Sequence, residues 1–136
     1  MSYSGEVRVA QATATVGDVH YKVSIDAGRH RLVADESKAL GGRDEGPPPF
    51  GLLLCALGAC TSITLKMYAE RKGWPLASLT VDLKYFMRDK QGRIERVLRL
   101  TGDLNDEQKA RLADVAERTP VTLVIKGGVP IDTTLG

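Results

Sequence analysis

Two cysteines, Cys55 and Cys60, are the residues of this 136-residue chain best suited to do chemistry, and both lie in the apolar segment 51–74. If that segment is a helix, five residues turn the chain through about 500°, so the two side chains point about 140° apart. Their Cα atoms then lie roughly 8–9 Å apart, beyond the limit of about 7 Å for a disulfide. The spacing therefore predicts that the two cysteines are not a redox pair with each other.

Each thiol has a structural and a chemical interpretation. Buried cysteines most often serve as small, inert hydrophobic residues. Cys60 is better placed for chemistry, because the small residues "GA" before it let a substrate approach and "TS" after it supplies hydroxyls, whereas Cys55 lies among leucines. The residues alone favour Cys60 over Cys55 as the reactive thiol and leave a purely structural role open.

Composition excludes several classes of function. A net charge of +2, with basic residues scattered among acidic ones, argues against a nucleic-acid partner. The two histidines, His20 and His30, belong to no metal-ligand pattern, so we expect no metal site. The longest uninterrupted apolar stretch, Leu52 to Cys60, is much shorter than the roughly 20 residues of a membrane span. We therefore expect one soluble cytoplasmic domain over residues 1–136, with no membrane partner.

The elements that must position the cysteines follow from hydrophobic periodicity. Alternation predicts a hairpin over 6–14 and 20–27 with a third strand at 30–35. A loop rich in Gly and Pro follows, and a helix is expected from Pro49 to about Lys72. The remaining elements are expected to be strands over 79–88 and 93–104, a helix capped by Asn105, a short helix or turn from Pro120, and a final strand over 129–135. This order predicts an α+β domain with antiparallel strands.

The predicted helix is apolar on nearly every side in its first half, "FGLLLCALGAC". Such a helix is normally buried all round, and one small domain has little material to cover it. In the second half, Ile63, Met67 and Leu65 are expected to face inward. We therefore predict that a partner subunit covers the helix, most simply in a two-fold homodimer.

Segment 46–76, "GPPPFGLLLCALGACTSITLKMYAERKGWPL", resembles the core motif of the OsmC/Ohr family in its OsmC-like branch. The similarity extends to "HRLVADES" before it, "LTVDLKY" after it, and "AERTPVTLVIKGGVPIDTTL" near the C-terminus. The resemblance implies an OsmC-like fold, in which antiparallel sheets wrap around the long central helices of an intertwined homodimer. It also implies an active site at the dimer interface.

The family resemblance further implies a thiol-dependent reduction of organic hydroperoxides with no bound cofactor. In active family members, the cysteine of the Ala-Cys-Thr segment attacks the hydroperoxide, and a second cysteine resolves the sulfenic acid as a disulfide that dithiols reduce. Cys60 takes the attacking position here. Thr119 stands where the resolving cysteine is usual, so an external thiol is the expected reductant.

A second departure from the family concerns activation of the thiol. Gly51 stands where the family usually has a Glu that positions an activating arginine, and only Arg29 and Arg31 are nearby candidates for that arginine. Cys60 also lies about ten residues into its helix, whereas the dipole of a helix acts only within its first turn. These departures predict weak activity.

Two functions from different classes follow. The first is a one-cysteine hydroperoxide reductase that uses Cys60. The alternative is a non-catalytic protein that holds a small apolar ligand in the dimer-interface pocket, with Cys60 as part of the wall. For such a pocket the candidate residues are Phe50, Gly51, Cys55 and Thr119, and Gly51 is expected to enlarge it.

Overall fold

The computed structural model describes residues 5–136 and confirms an α+β architecture. In chain order the elements are β1 (Ala12–Val16), β2 (Val23–Ala27), β3 (His30–Ala34), a 3-10 turn (Lys38–Leu40), α1 (Pro49–Lys72), β4 (Leu76–Arg88), β5 (Gln91–Gly102), α2 (Asp106–Ala116) and α3 (Pro120–Gly127). The chain divides between Leu52 and Leu53 into two compact units.

The first unit contains an antiparallel sheet in the order β1-β2-β3. Val16 pairs with Val23, and Ala27 pairs with His30 across the second turn. The prediction of a strand over 6–14 is wrong in its bounds, because within the described chain residues 6–11 adopt no strand structure and the strand begins at Ala12. Alternation alone does not make a strand, because a strand also needs a partner for its backbone hydrogen bonds.

A loop between β3 and α1 is organised around the buried carboxylate of Asp35. Its Oδ1 accepts a hydrogen bond from the backbone N–H of Glu36 at 2.7 Å, and its Oδ2 accepts from Arg43 and Glu45 at 3.2 Å each. Burial alone raises the pKa of Asp35, but these backbone donors, Glu45 foremost, outweigh it and bring the pKa below its ordinary value. The ionised carboxylate of Asp35 thus holds the loop in place.

Substituting this residue, Asp35→Asn, is expected to destabilise the protein at pH 7, because the amide NH2 cannot accept the backbone hydrogen bonds made at one of the two oxygens. Since the pKa of Asp35 is lowered in the folded state, its ionised form stabilises the fold at pH values above the unfolded-state pKa of about 3.9. That contribution is lost as the pH falls through the folded-state value. The difference in free energy of unfolding between wild type and variant should therefore approach zero at about pH 2. Urea unfolding at both pH values measures it, and a difference that persists in acid would contradict the assignment.

The second unit is built on the long hairpin of β4 and β5. Its two-residue turn places Asp89 and Lys90 at φ 51° and 66°, as a type I′ turn requires. Leu83 pairs with Arg96 in the ladder. The core of this unit combines α1, β4, the β5–α2 connection and α2 through Leu65, Ala69, Leu76, Leu104, Leu112 and Ala116.

Helix α1 spans the predicted residues and ends, as expected, before a left-handed glycine, Gly73 at φ 72°. Its buried residues recur every four positions, at Leu57, Thr61, Leu65 and Ala69. The prediction that Ile63 and Met67 face inward is wrong: they are 56% and 58% exposed in this chain. The helical period places them together on a face well away from Leu65. The chain by itself therefore leaves an apolar face of α1 uncovered.

By length and composition alone, α1 is also apolar enough to cross a membrane, with a mean hydropathy of 1.7 over 18 residues. The length of the apolar stretch in the sequence did not predict this, because Thr61 and Ser62 end that stretch without adding charge. The central helix of a soluble protein meets the same criterion, so the observation is weak evidence for a membrane span.

The C-terminal helices begin where the sequence predicts. Asn105 and Gln108 form a reciprocal capping box at the start of α2, and Pro120 is the first residue of α3. The predicted final strand over 129–135 is wrong, because these residues have no regular structure and Ile131 is 83% exposed. Like residues 6–11, the segment alternates but is paired with no strand of the described chain.

Candidate functional site

The thiol of Cys60 lies at the N-terminus of α3. The backbone N–H of Val121 donates a hydrogen bond to Sγ of Cys60, with 3.4 Å between nitrogen and sulfur. Because Pro120 is the first residue of α3, Val121 lies in its first turn, where backbone N–H groups have no acceptor within the helix. The sulfur of Cys60 therefore occupies a place that helices usually give to a polar or negatively charged cap.

This contact gives Cys60 a helix N-terminus that the sequence did not predict. The N-terminus of α1 is indeed too far along the helix to act on Cys60, but the N-terminus of a second helix, α3, faces the sulfur directly. The N-terminal end of a helix carries a partial positive charge, and its N–H groups stabilise anions. The arrangement thus gives the Cys60 sulfur a backbone donor at a helix N-terminus.

Arg96 of β5 joins the elements around this thiol. Its Nη1 donates to Oγ1 of Thr61 at 3.0 Å and to Oγ1 of Thr122 at 2.9 Å, and its Nη2 donates to the carbonyl oxygen of Ala116 at 2.9 Å. The side chain is only 12% exposed. A buried guanidinium normally has such a full set of partners. Arg96 therefore ties α1, the end of α2 and the first turn of α3 together beside Cys60.

Thr119, the N-cap of α3, is completely buried in the same place. Its hydroxyl shares a hydrogen bond of 2.6 Å with that of Thr122 rather than capping the helix backbone. Thr61 donates to the carbonyl oxygen of Leu57 at 2.7 Å, a hydrogen bond that threonines inside helices often make. A continuous polar network thus runs from Thr61 through Arg96 and Thr122 to Thr119.

Glu117 carries negative charge to the outer side of this network. It pairs with Lys126 at 2.7 Å and with Arg96 at 3.3 Å. The ammonium of Lys126, as the nearer partner, and then the guanidinium of Arg96 lower the pKa of Glu117 against the opposing effect of burial. The carboxylate is more than half exposed, so this pairing is largely solvated.

A cavity of 530 Å³ opens beside Arg96 and Thr122. Its apolar wall includes Leu57, Ile94 and Ile125. Arg96, Glu117 and Lys126 supply charge at its edge. Its volume is that of a small-molecule site.

Three other residues singled out from the sequence, Phe50, Gly51 and Cys55, lie in the first half of α1. Phe50 is half exposed at the start of α1, and Cys55 is exposed further along the same helix. A Cβ at Gly51 would lie 3.3 Å from Cδ of Pro48 and 3.5 Å from Cβ of Pro47, so prolines adjoin that position. Cys55 and Cys60 are both free thiols, which agrees with the helical spacing.

Arg96 is an arginine of this site that the sequence did not single out, whereas Arg29 and Arg31 belong to the first compact unit and stay predictions. Arg31 is exposed and pairs with Asp26 across the first sheet at 3.1 Å, and Arg29 lies in the exposed turn before β3. The sequence did contain an indication of Arg96, because this residue shares the more buried face of β5 with Ile94 and Leu98. A charged residue in an apolar register is a candidate for a buried functional role.

Residues 5–136 contain no group of three or more His, Cys, Asp or Glu side chains that could hold a metal ion. The donors present around Cys60 are hydroxyls, a guanidinium and backbone N–H groups. Such groups bind anions rather than cations.

Comparisons with known proteins agree with this fold. The family model described as OsmC-like protein matches residues 42–134. An OsmC-like protein from Mycoplasma pneumoniae superposes with a TM-score of 0.78 at 16% identity, over 89% of each chain. The organic hydroperoxide resistance protein OhrB of Bacillus subtilis superposes with a TM-score of 0.61 at 20% identity, over 89% of this chain and 93% of its own.

An organic hydroperoxide resistance protein from Elizabethkingia anophelis gives a TM-score of 0.70 at 20% identity, over 91% of this chain and 92% of its own. No curated protein sequence matches the chain. At these identities the solved structures establish a shared fold. The match to the family model covers more than half of the chain.

Proposed function

Because the chain belongs to the OsmC-like protein family, we propose that it reduces organic hydroperoxides, with Cys60 as the attacking thiol and an external thiol as reductant. Solved structures of the same fold include proteins named for organic hydroperoxide resistance. The observation that carries the proposal is the hydrogen bond from the Val121 N–H to Sγ of Cys60. The thiolate is the nucleophilic form of cysteine, and a helix N-terminus is a general binding site for anions, which supports the proposal.

The chemistry needs one oxidation and one reduction. The thiolate of Cys60 attacks the terminal oxygen of the hydroperoxide, the O–O bond breaks, and after one proton is taken up an alcohol leaves with Cys60 as a sulfenic acid. With Thr119 in the place of a resolving cysteine, two equivalents of external thiol return the sulfur to its reduced form. The cycle uses no resident metal or cofactor.

A non-catalytic binding function is the second candidate, and the cavity of 530 Å³ favours it. Its aliphatic wall and charged edge suit a small, largely apolar ligand with one polar end. A protein of this kind would retain the cavity and leave Cys60 unoxidised by dilute hydroperoxide. The two functions therefore differ in whether dilute hydroperoxide oxidises the sulfur of Cys60.

We also propose that the protein acts as a cytoplasmic homodimer. The exposed apolar face of α1, which includes Ile63 and Met67, supports a second copy as its cover. Burying that face between two subunits also accounts for a helix that is apolar enough to span a membrane without assigning it to one.

Brief exposure of the reduced protein to one equivalent of an organic hydroperoxide, with a sulfenic-acid trap, tests the catalytic function. We expect one trap adduct per chain by intact mass. The adduct should be retained in Cys55→Ser and lost completely in Cys60→Ser, because only Cys60 contacts the N-terminus of α3. An unmodified wild type whose thiols still alkylate would contradict catalysis and favour the binding function.

A further inference from the structure

The oxidised form of Cys60 has no second thiol within reach in its own chain. The chain has two cysteines, and Cys55 projects from α1 about 140° away from Cys60 around the helix axis. A nitrogen atom is nearer: the backbone N of Val121 lies 3.4 Å from Sγ. Reacting atoms held at roughly 3–3.5 Å are close to an attack geometry.

We propose that oxidised Cys60 condenses with the backbone nitrogen of Val121 to form a sulfenamide, which serves this protein in place of the missing disulfide. This inference rests on the proposed function, which supplies the sulfenic acid. The S–N bond forms as the S–OH bond and the N–H bond break, and the hydroxyl and the amide proton leave together as water. No further oxidant is required, since the sulfur is already at the sulfenic level.

The position of Val121 in α3 makes its nitrogen available for this bond. As the second residue of α3, after Pro120, it donates its N–H to the sulfur and to no carbonyl of its own helix. Replacing that N–H by an N–S bond therefore removes no hydrogen bond from the helix. Most backbone nitrogens in a folded protein lack this freedom, because their N–H groups are paired in secondary structure.

The surrounding residues hold the two reacting atoms together. Arg96 donates to Thr61, the residue after Cys60, and to Thr122, the residue after Val121. One guanidinium thus fixes the neighbours of both partners, which limits their relative movement. The same constraint keeps the sulfenic acid beside the amide rather than free to oxidise further.

The sulfenamide would protect Cys60 and remain reversible. Over-oxidation to a sulfinic or sulfonic acid is essentially irreversible, whereas a sulfur bonded to nitrogen is open to attack by a thiol. The first external thiol breaks the S–N bond, restores the N–H of Val121 and forms a mixed disulfide with Cys60. A second external thiol releases Cys60 and carries away a disulfide of the reductant.

The Cys55→Ser variant provides the test, because its single remaining thiol cannot form a disulfide within the chain. The reduced variant is treated with one equivalent of cumene hydroperoxide, without trap or reductant. We expect a species about 2 Da lighter than the reduced protein. Trypsin digestion in the absence of reductant should then yield peptides 44–66 and 119–126 as one linked species. Dithiothreitol should separate the peptides and restore the original mass.

Two further variants locate the bond, with Val121→Ala as the matched control for Val121→Pro. Val121→Ala keeps the N–H and should form the link with one equivalent of cumene hydroperoxide. Val121→Pro lacks the N–H and should stay at the sulfenic acid, which a second equivalent of hydroperoxide converts to sulfinic acid, about 32 Da heavier than the thiol. The linkage measurement in Cys55→Ser stands on its own if the proline variant does not fold.

The outcomes separate this inference from the function on which it rests. Linked peptides 44–66 and 119–126 that dithiothreitol releases would support the sulfenamide. A Cys60 that gives trap adduct or sulfinic acid but never the link would overturn the sulfenamide and leave the hydroperoxide reductase standing. A Cys60 that the hydroperoxide does not oxidise would overturn both.

Discussion

Replacing Arg96 by leucine is expected to slow the oxidation of Cys60 by about tenfold or more and to lower the free energy of unfolding by about 3 kcal/mol. The guanidinium makes its hydrogen bonds to α1, the end of α2 and α3 while almost fully buried. Leucine would leave the hydroxyls of Thr61 and Thr122 without their charged donor. The first turn of α3 would then lose its fixed position relative to Cys60.

Arg96 acts as a positioning residue in this argument, so rate and stability are measured separately. Trap incorporation over time gives the oxidation rate, and urea unfolding gives the stability. Arg96→Lys should recover only part of the rate, because an ammonium cannot reproduce the planar fork of donors. Arg99→Leu is the matched control on β5: its exposed pair with Asp82 predicts an effect within about 0.5 kcal/mol.

One result would contradict the role of Arg96 in positioning α3 beside Cys60. If Arg96→Leu lost stability but oxidised Cys60 at the wild-type rate, the contact with α3 would not depend on the guanidinium. The side chain would then stabilise the fold without affecting the reactivity of Cys60.

The helices could be predicted from sequence because their signals are local. Pro49, Gly73, Asn105 and Pro120 each mark a helix end by the conformation that they favour, and the structure places a helix end at every one. The reciprocal capping box of α2 needs only residues three apart. No tertiary contact had to be known for any of these predictions.

The strands and tail were less predictable because a strand is completed by a partner. Residues 6–11 and 129–135 alternate as well as β1 does, yet neither adopts strand structure in the described chain. The outward position of Ile63 and Met67 has a related cause. Hydrophobicity indicates that a surface will be covered, but it does not say whether the cover belongs to the same chain.

The candidate site was half predictable for a similar reason. Cys60 and Thr119 could be singled out from motif positions, but the contact between Cys60 and α3 joins residues 61 positions apart. From the sequence, the effect of a helix N-terminus on Cys60 could therefore be predicted only for α1, the helix that contains the cysteine. Arg96 was missed although its register was visible, because its partners come from three other elements.

Thr119→Cys is expected to convert the protein from a one-cysteine to a two-cysteine cycle. The residue is fully buried at the N-cap of α3, two positions before the Val121 nitrogen that contacts Cys60. A thiol at this position acts at an effective concentration of about 1 mM or more. Trappable sulfenic acid at Cys60 should therefore disappear at least about tenfold faster than in the wild type, in which only dilute external thiol and the weakly nucleophilic Val121 amide react with it.

The same experiment sets two intramolecular partners in competition for one sulfur atom. A thiolate is a far stronger nucleophile than an amide nitrogen, so the new disulfide should form in place of the Val121 sulfenamide. Both products link peptides 44–66 and 119–126, and fragmentation distinguishes a bond at position 119 from one at position 121. Thr119→Ser, which keeps a hydroxyl, should leave the wild-type product. If Thr119→Cys gave no disulfide and no faster loss of sulfenic acid, the first turn of α3 would be held too rigidly for position 119 to reach Cys60, and the amide would be the only partner that this fold offers.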